Sequence, residues 1–351
     1  MTKEEAIQNF DPNGPGIKGN LFGLPYSTDN AEVVVVPVPW EVTVSYREGA
    51  ASGPKAILEA SSQIDFFIKE IPEAWKLGVS MADYPQNLYR ENRQLRALAA
   101  QYISSFEYGE EEKDKLLLTK INEACESLNI YVKNTVLQYL NEGKLVGLLG
   151  GDHSTPLGLM RALGEQHQRF GILHIDAHAD LRKAYEGFTY SHGSIMHNAL
   201  KIPSLHRLIQ VGVRDYCEEE KTAIANSAGR IKTYFDDDIK AAQYNGRSWD
   251  AICTDIIKEL PPLVYISFDI DGLDPKLCPN TGTPVPGGLE FTQATYLIKQ
   301  LVKSGRKIIG FDLNEVAPGH DEWDANVGAR LLYQLCHWMA ASQGKFTKGN
   351  K

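Results

Sequence analysis

The stretch His174–Asp180, HIDAHAD, puts a His or Asp at every second position with an apolar residue between each pair. On an extended chain that alternation sends all four polar side chains to one face. Three other stretches carry similar groups: Gly151-Asp152-His153-Ser154, Asp269-Ile270-Asp271-Gly272-Leu273-Asp274, and Asn314-Glu315-Val316-Ala317-Pro318. Carboxylates gathered in one buried place repel one another, and even one unpaired buried charge is costly. Divalent cations resolve this. The set is rich in oxygen, has two obvious imidazoles and no thiolate, and so suits Mn²⁺ better than a structural zinc. Asp-x-Asp and Asp-x-His pairs offer carboxylates that can bridge, which points to two ions. Such pairs sit about 3.5–4 Å apart and generate hydroxide near neutral pH. The expected chemistry is binuclear metal-assisted hydrolysis.

The single motifs have plainer readings too. Asp-x-Asp occurs in many loops. Gly150-Gly151 suits a tight strand-to-helix turn, with Ser154 or Thr155 as N-cap and Pro156 at the first helical position. No G-x-S-x-G elbow surrounds Ser154, which argues against it as a nucleophile. His167, His206 and His337 read as surface or core histidines, and Cys217 and Cys278 as packed free thiols. His174 falls inside the apolar run FGILHID, so it reads as a hydrogen-bonded support outside the ligand set.

The elements that must position these groups follow from the apolar pattern. Residues 32–39, 145–150, 170–176, 207–213, 263–269 and 307–313 are short, β-rich runs. Helical candidates span 53–70, 110–143, 156–166, 193–201, 218–227, 292–304 and 324–341, the longest read as one or two amphipathic helices. Alternation of this kind predicts a single-domain, three-layer α-β-α fold with a mainly parallel sheet. Residues 1–31 read as an irregular N-terminal arm, with the catalytic domain over 32–345. The polar motifs follow the strands, where ligands bind in open α/β sheets.

Bulk properties narrow the function. The chain has 351 residues, 43% hydrophobic and 23% charged, with a formal net charge of −9. There is no Lys/Arg-rich run, which disfavours nucleic acid and acidic membranes. Five scattered cysteines form no CxxC pair, so neither a disulfide framework nor a zinc finger is expected. Without a signal-like or spanning apolar run, the cytoplasm is the expected address.

GGDHS (150–154), DAHAD (176–180), SFDIDGLDP (267–275) and NEVAP (314–318), in this order, resemble the ureohydrolase superfamily of arginases, agmatinases and formimidoylglutamases. The likeness extends over about residues 32–340 and is weaker in the arm and around 85–125. It implies two Mn²⁺ per subunit, with Ni²⁺ or Co²⁺ as substitutes. His153, Asp176, Asp180 and Asp269 would hold one ion, and Asp176, His178, Asp269 and Asp271 the other, with Asp176 and Asp269 bridging. Glu315 would pair with the substrate guanidinium, and His192 would relay protons. Asp180 would also orient a metal-bridging hydroxide as it attacks the guanidinium carbon. The resemblance further implies trimers or hexamers.

The substrate is harder to read. DAHADLR…YEG…SH is similar to agmatinases, whereas the loop between Asp180 and His192 lacks the amide- and hydroxyl-rich character of arginases. Arg182 and Lys183 suit a carboxylate, Glu186 an amine. Trp40, Tyr46, Trp323 and the 278–288 loop are expected to narrow the pocket. The expectation is hydrolysis of agmatine to putrescine and urea. Arginine, guanidinobutyrate, formimidoylglutamate and guanidine are the alternatives. A metal-binding regulatory relative without catalysis is the alternative of another class.

Overall fold

A computed structural model describes residues 1–107 and 114–346 of the chain. Its centre is a sheet of β1 (Val33–Val38), β2 (Val79–Met81), β3 (Leu145–Gly150), β4 (Phe170–Ile175), β5 (Leu205–Val213), β6 (Ile231–Phe235), β7 (Leu263–Asp269) and β8 (Lys307–Asn314). The strands run in the order β2-β1-β3-β8-β7-β4-β5-β6, and every pairing is parallel. Helices cover both faces, as parallel strands require. Helices Gly53–Ala60, Trp249–Lys258, Phe291–Lys303 and Trp323–Ser342 pack with one set of strand side chains. Helices Gln86–Glu107, Lys115–Asn141, Leu157–Gln166 and Ile195–Ala199 pack with the other. The fold is the three-layer α-β-α arrangement that the sequence predicts. No helix among the described residues is long and apolar enough to cross a membrane.

The four motif-bearing strands, β3, β8, β7 and β4, are neighbours at the middle of the sheet. That is where chain order changes direction, and the strand ends there leave a crevice. The motifs are separated widely in sequence but meet at one edge of the sheet. Close approach at this edge demands glycine: a Cβ on Gly151 would lie 2.0 Å from the Trp40 carbonyl oxygen, and one on Gly150 would lie 1.8 Å from Asn314 Oδ1.

One pleat below the strand ends lies a row of polar residues in cross-strand register. Thr233, Gln210, His174, Ser267 and Asp312 follow one another across β6, β5, β4, β7 and β8. Asp176, Asp269 and Asn314 each stand two residues further along their strands, so the alternation puts them on the same face. The row becomes the floor of the site.

Several elements differ from expectation. The arm is not irregular throughout: Lys3–Asn9 is a helix closed by a Thr2/Glu5 capping box. Leu21, Phe22 and Leu24 are buried, with Phe22 edge-on to Tyr333 at 5.0 Å. The helix expected over 53–70 stops at Ala60, followed by a 3₁₀ turn at Ser61–Gln63, where the Ser61 hydroxyl accepts the Phe22 N–H. The helix expected to start at Pro156 starts at Leu157, with Pro156 as its uncapped N-cap. Thr155 does not cap it because its hydroxyl turns to the Asp152 carbonyl and to Asn314. The segment read over 110–143 is one helix, Lys115–Asn141; its expected start at Glu110 lies outside the described residues. β2, β6 and the helices Gln86–Glu107, Asp236–Tyr244 and Trp249–Lys258 had no counterpart in the reading of the sequence. β2 and β6 are short edge strands, and Gln86–Glu107 and Asp236–Tyr244 are polar overall, whereas Trp249–Lys258 buries Ile252, Cys253, Ile256 and Ile257 at an apolar spacing that the sequence reading missed.

Candidate metal centre

His153 follows β3, Asp176, His178 and Asp180 follow β4, and Asp269 and Asp271 lie at the end of β7. The fold brings all six together. His153 Nδ1 lies 3.0 Å from Asp176 Oδ2, 3.2 Å from Asp180 Oδ2 and 3.3 Å from Asp269 Oδ2. His178 Nδ1 lies 3.1 Å from Asp271 Oδ2 and 3.4 Å from Asp176 Oδ1. Two groups of donor atoms therefore form, one around His153, Asp176 and Asp180, the other around Asp176, His178 and Asp271. Asp176 belongs to both, one oxygen toward each. Asp269 leans on the first group with Oδ2, while its Oδ1 accepts the Asp271 N–H at 2.9 Å.

The floor explains which nitrogens face inward. His153 Nε2 lies 2.9 Å from Ser267 Oγ, and that hydroxyl donates to Asp312 Oδ1 at 3.1 Å. The carboxylate only accepts, so Ser267 accepts the Nε2–H of His153 and the Nδ1 lone pair is left for the centre. His174 is set the opposite way. Gln210 Nε2 must donate to the Ala179 carbonyl (2.7 Å) and also reaches His174 Nδ1 (3.0 Å). The proton of His174 is then on Nε2, pointing at Asp176 Oδ2 from 2.8 Å. His174 sits close enough to be grouped with the first set, but a protonated nitrogen offers no lone pair. It supports Asp176.

Without cations the centre is electrostatically frustrated. Burial and the Asp176 charge push the Asp180 carboxyl up to about 6, against the pull of His153. Burial, Asp271 and Asp176 push Asp269 well above the usual carboxylate range. Asp176 is disfavoured by burial, yet His174, His153 and His178 around it hold it well below that range. Burial opposes charge on His153, and hydrogen bonds to Asp176, Asp180, Asp269 and Asp312 overcome it and raise its pKa. The cluster holds protons where divalent cations would satisfy the same oxygens. Hard oxygen donors, two imidazole lone pairs and a shared carboxylate fit a pair of such ions.

Asp180 and Glu315 both adopt left-handed backbone, with φ of 54° and 63°. Such strain persists only where the surroundings over-determine it. The Asp180 carbonyl accepts the N–H groups of Met196 and His197, while Glu315 is tied through Gly151 and the Thr281 hydroxyl. Glu315 is buried and accepts the His153 N–H at 2.9 Å. Burial, then Asp152, push its carboxyl well above the usual range, against that hydrogen bond. Ser154 gives its hydroxyl to Asp152.

A cavity of about 380 Å³ opens over His178, Asp180 and His192. Tyr46, Arg47, Arg182, Tyr185, Asp215, Tyr216 and residues 283–285 complete its wall. His192 packs edge-on against Tyr185 at 5.8 Å, and its Nδ1 has no hydrogen-bond partner among the described residues. Burial, then the neighbouring His178 and His153, pull its pKa down to about 4. Of the residues expected to narrow the pocket, Tyr46 and part of the 278–288 loop do so. Trp40 is buried and absent from this wall, and Trp323 gives its indole N–H to the Lys276 carbonyl outside it. Lys183 and Glu186 also fall outside this wall.

The sequence reading missed Gln210, Ser267 and Asp312, and also Asp215 at the cavity mouth. Its one available signal was a lone polar residue inside each of the apolar strands LIQVGV, VYISFD and IIGFDL.

The arginase family matches residues 31–337. The chain belongs to the arginase family. It is 31% identical over 317 residues to the N(1)-aminopropylagmatine ureohydrolase of Thermus thermophilus, covering 89% of this chain and 92% of the relative. It is 29% identical over 346 residues to an agmatinase of Salmonella paratyphi B, covering 93% and 95%. The solved agmatine ureohydrolase of Thermoplasma volcanium shares the fold, with a TM-score of 0.71 at 24% identity over 97% of this chain and 99% of that one. This arginase-family ureohydrolase acts on C–N bonds of linear amidines, and its His/Asp cluster is suited to holding metal.

Proposed function

We propose that the protein hydrolyses agmatine to putrescine and urea, with two Mn²⁺ held by His153, Asp176, His178, Asp180, Asp269 and Asp271. The observation that carries this reading is the pair of donor groups joined at Asp176 beneath a cavity presenting His192. Bound divalent ions supply the acidity that makes water a nucleophile at neutral pH and neutralise charge developing on the substrate. The chain's own groups do the rest. Glu315 accepts paired N–H bonds from the planar guanidinium and fixes its carbon above the cluster. Asp180 orients the attacking water by accepting a hydrogen bond from it. His192, neutral at pH 7 with its pKa near 4, relays a proton released by the attacking water to the departing amine nitrogen, taking one up as it gives one off.

A cationic tail suits the cavity mouth. Asp215 is exposed there, with 69% of its side chain accessible, and faces His178 Nε2 at 4.0 Å. The guanidinium of Arg182, by contrast, is engaged by Tyr185 at 4.9 Å and by Glu220 at 3.9 Å. The relative from Thermus supports a second reading, in which the tail is the longer aminopropyl derivative of agmatine.

A substrate panel decides. Mn²⁺-loaded protein is offered agmatine, N(1)-aminopropylagmatine, arginine, guanidinobutyrate, formimidoylglutamate and guanidine, and urea, formamide and amine are measured. Agmatine should give the highest kcat/KM. A tenfold preference for the aminopropyl compound moves the assignment to the second reading; urea from none of them overturns both.

A further inference from the structure

The helices Gln86–Glu107 and Lys115–Asn141 contribute nothing to the His/Asp cluster, yet they hold both walls of the cavity. On one side lies the loop 40–49, which carries Tyr46 and Arg47. Asn92 Oδ1 accepts the Glu41 N–H at 2.7 Å, and Arg96 donates to the Val42 carbonyl at 3.1 Å and to Glu48 at 2.9 Å. Asn92 and Arg96 are four residues apart, hence on one face of their helix.

On the other side the chain makes a tight turn at Tyr185–Phe188. Glu186 and Gly187 both have positive φ, 53° and 92°, the signature of a type I′ turn. Its two ends exchange backbone hydrogen bonds, at 3.2 and 2.8 Å. Asn122 grips the turn with both ends of its amide: Oδ1 accepts the Thr189 N–H at 2.8 Å, and Nδ2 donates to the Gly187 carbonyl at 3.3 Å. Because one backbone partner can only donate and the other only accept, the amide has one satisfactory orientation. Phe188 is fully buried, its ring 5.4 Å from that of Tyr102. The turn thereby fixes Tyr185, whose ring stands against His192.

We infer that Asn122 is a positioning residue: through the Tyr185–Phe188 turn it holds Tyr185 and His192 in place over the centre, with the two helices as the buttress. Its effect on catalysis rests on the proton-carrying role of His192 proposed above. A group displaced by about 1 Å can cost as much as a hundredfold in rate.

The test compares Asn122→Ala with Asn134→Ala, an exposed asparagine on the same helix, in the full Mn²⁺-loaded chain. Hydrogen exchange of residues 185–192 should accelerate about tenfold or more in Asn122→Ala and stay unchanged in the control. With agmatine, kcat should fall about tenfold while KM moves less than about threefold. Bound Mn²⁺ per chain should not change. Asn122→Asp keeps the acceptor for Thr189 and loses the donor to Gly187, so it should fall between the two; it serves if the alanine variant does not fold. Unchanged exchange overturns the grip on the turn. Faster exchange with unaltered kcat overturns the positioning role, and loss of metal makes Asn122 a support of the centre instead. If the wild type releases urea from no guanidino compound, the hydrolase reading fails, while exchange still decides whether Asn122 holds the turn.

Discussion

The two imidazoles of the centre are held in different ways. His153 is about 1% exposed, its ring locked from below by Ser267 and Asp312, and three carboxylates face its inner nitrogen. His178 is 24% exposed, belongs to the loop after β4, and turns its outer nitrogen toward exposed Asp215 at the cavity mouth. One pole is braced from below by the sheet through Ser267 and Asp312; the other stands at the opening. Rigidity is kept where the carboxylate shared by both donor groups sits, and exposure rises toward the cavity mouth.

The harshest challenge to this contrast is removal of the group both poles share. Asp176→Ala should leave neither ion tightly bound, and turnover should fall about a thousandfold or more, since the ions supply several kcal/mol of transition-state stabilisation. Metal analysis after gel filtration, beside urea release, checks it. A variant keeping two ions would mean that Asp269 alone can bridge, and the roles of the two carboxylates would have to be exchanged.

The next prediction separates the poles. His178→Ala should keep one ion, at the His153 pole, whereas His153→Ala should lose both or unfold. In the wild type, chelator should draw the two ions off in two phases. Protons act in the same direction: Asp180 sits at about 6 without metal and Asp269 well above its usual range, so loading must expel protons. Affinity should therefore weaken as pH falls through about 6 and recover above it. Calorimetric loading at several pH values, in two buffers of different ionisation heat, reads the released protons. A single chelation phase, or affinity indifferent to pH between about 5 and 8, removes the proposed difference between the poles.

Much of this was legible in the sequence because it is local. Each motif is a few residues long, follows an apolar strand, and belongs at a strand end once the sheet is parallel. The expectation that His174 supports the centre from outside the ligand set comes from its position inside a strand, although its ring lies close enough to be grouped with the first set of donors. What escaped is what depends on register. Gln210, His174 and Ser267 are far apart in sequence and touch only because β5, β4 and β7 are aligned at those residues. A lone glutamine in LIQVGV signals an unexplained polar group in the core but not its partner. The helical buttress escaped for a related reason. Gln86–Glu107 is strongly polar, and it reaches the loops it steadies through the single residues Asn92, Arg96 and Tyr102, with Asn122 from the next helix.

The gentlest prediction tests whether the floor of the centre does more than fill space. Gln210→Leu conserves approximate volume but removes the donor to His174 Nδ1 and to the Ala179 carbonyl, and the acceptor of the Thr233 hydroxyl. Leaving buried polar groups unpaired costs about 1–3 kcal/mol, so the melting temperature should drop by a few degrees. A purely structural loss would end there. If Gln210 also keeps the His174 proton on Nε2, His174 becomes free to take the other tautomer and Asp176 loses its donor. Affinity for Mn²⁺ should then weaken about 10–100-fold, with the second chelation phase, that of the His153 pole, accelerating more than the first. Ser267→Ala provides the counterpart, because it releases the ring of His153 without touching His174. If both variants lose the same stability and neither alters metal affinity, the row across the sheet only satisfies buried polar groups, and the rigidity of the His153 pole must come from its carboxylates alone.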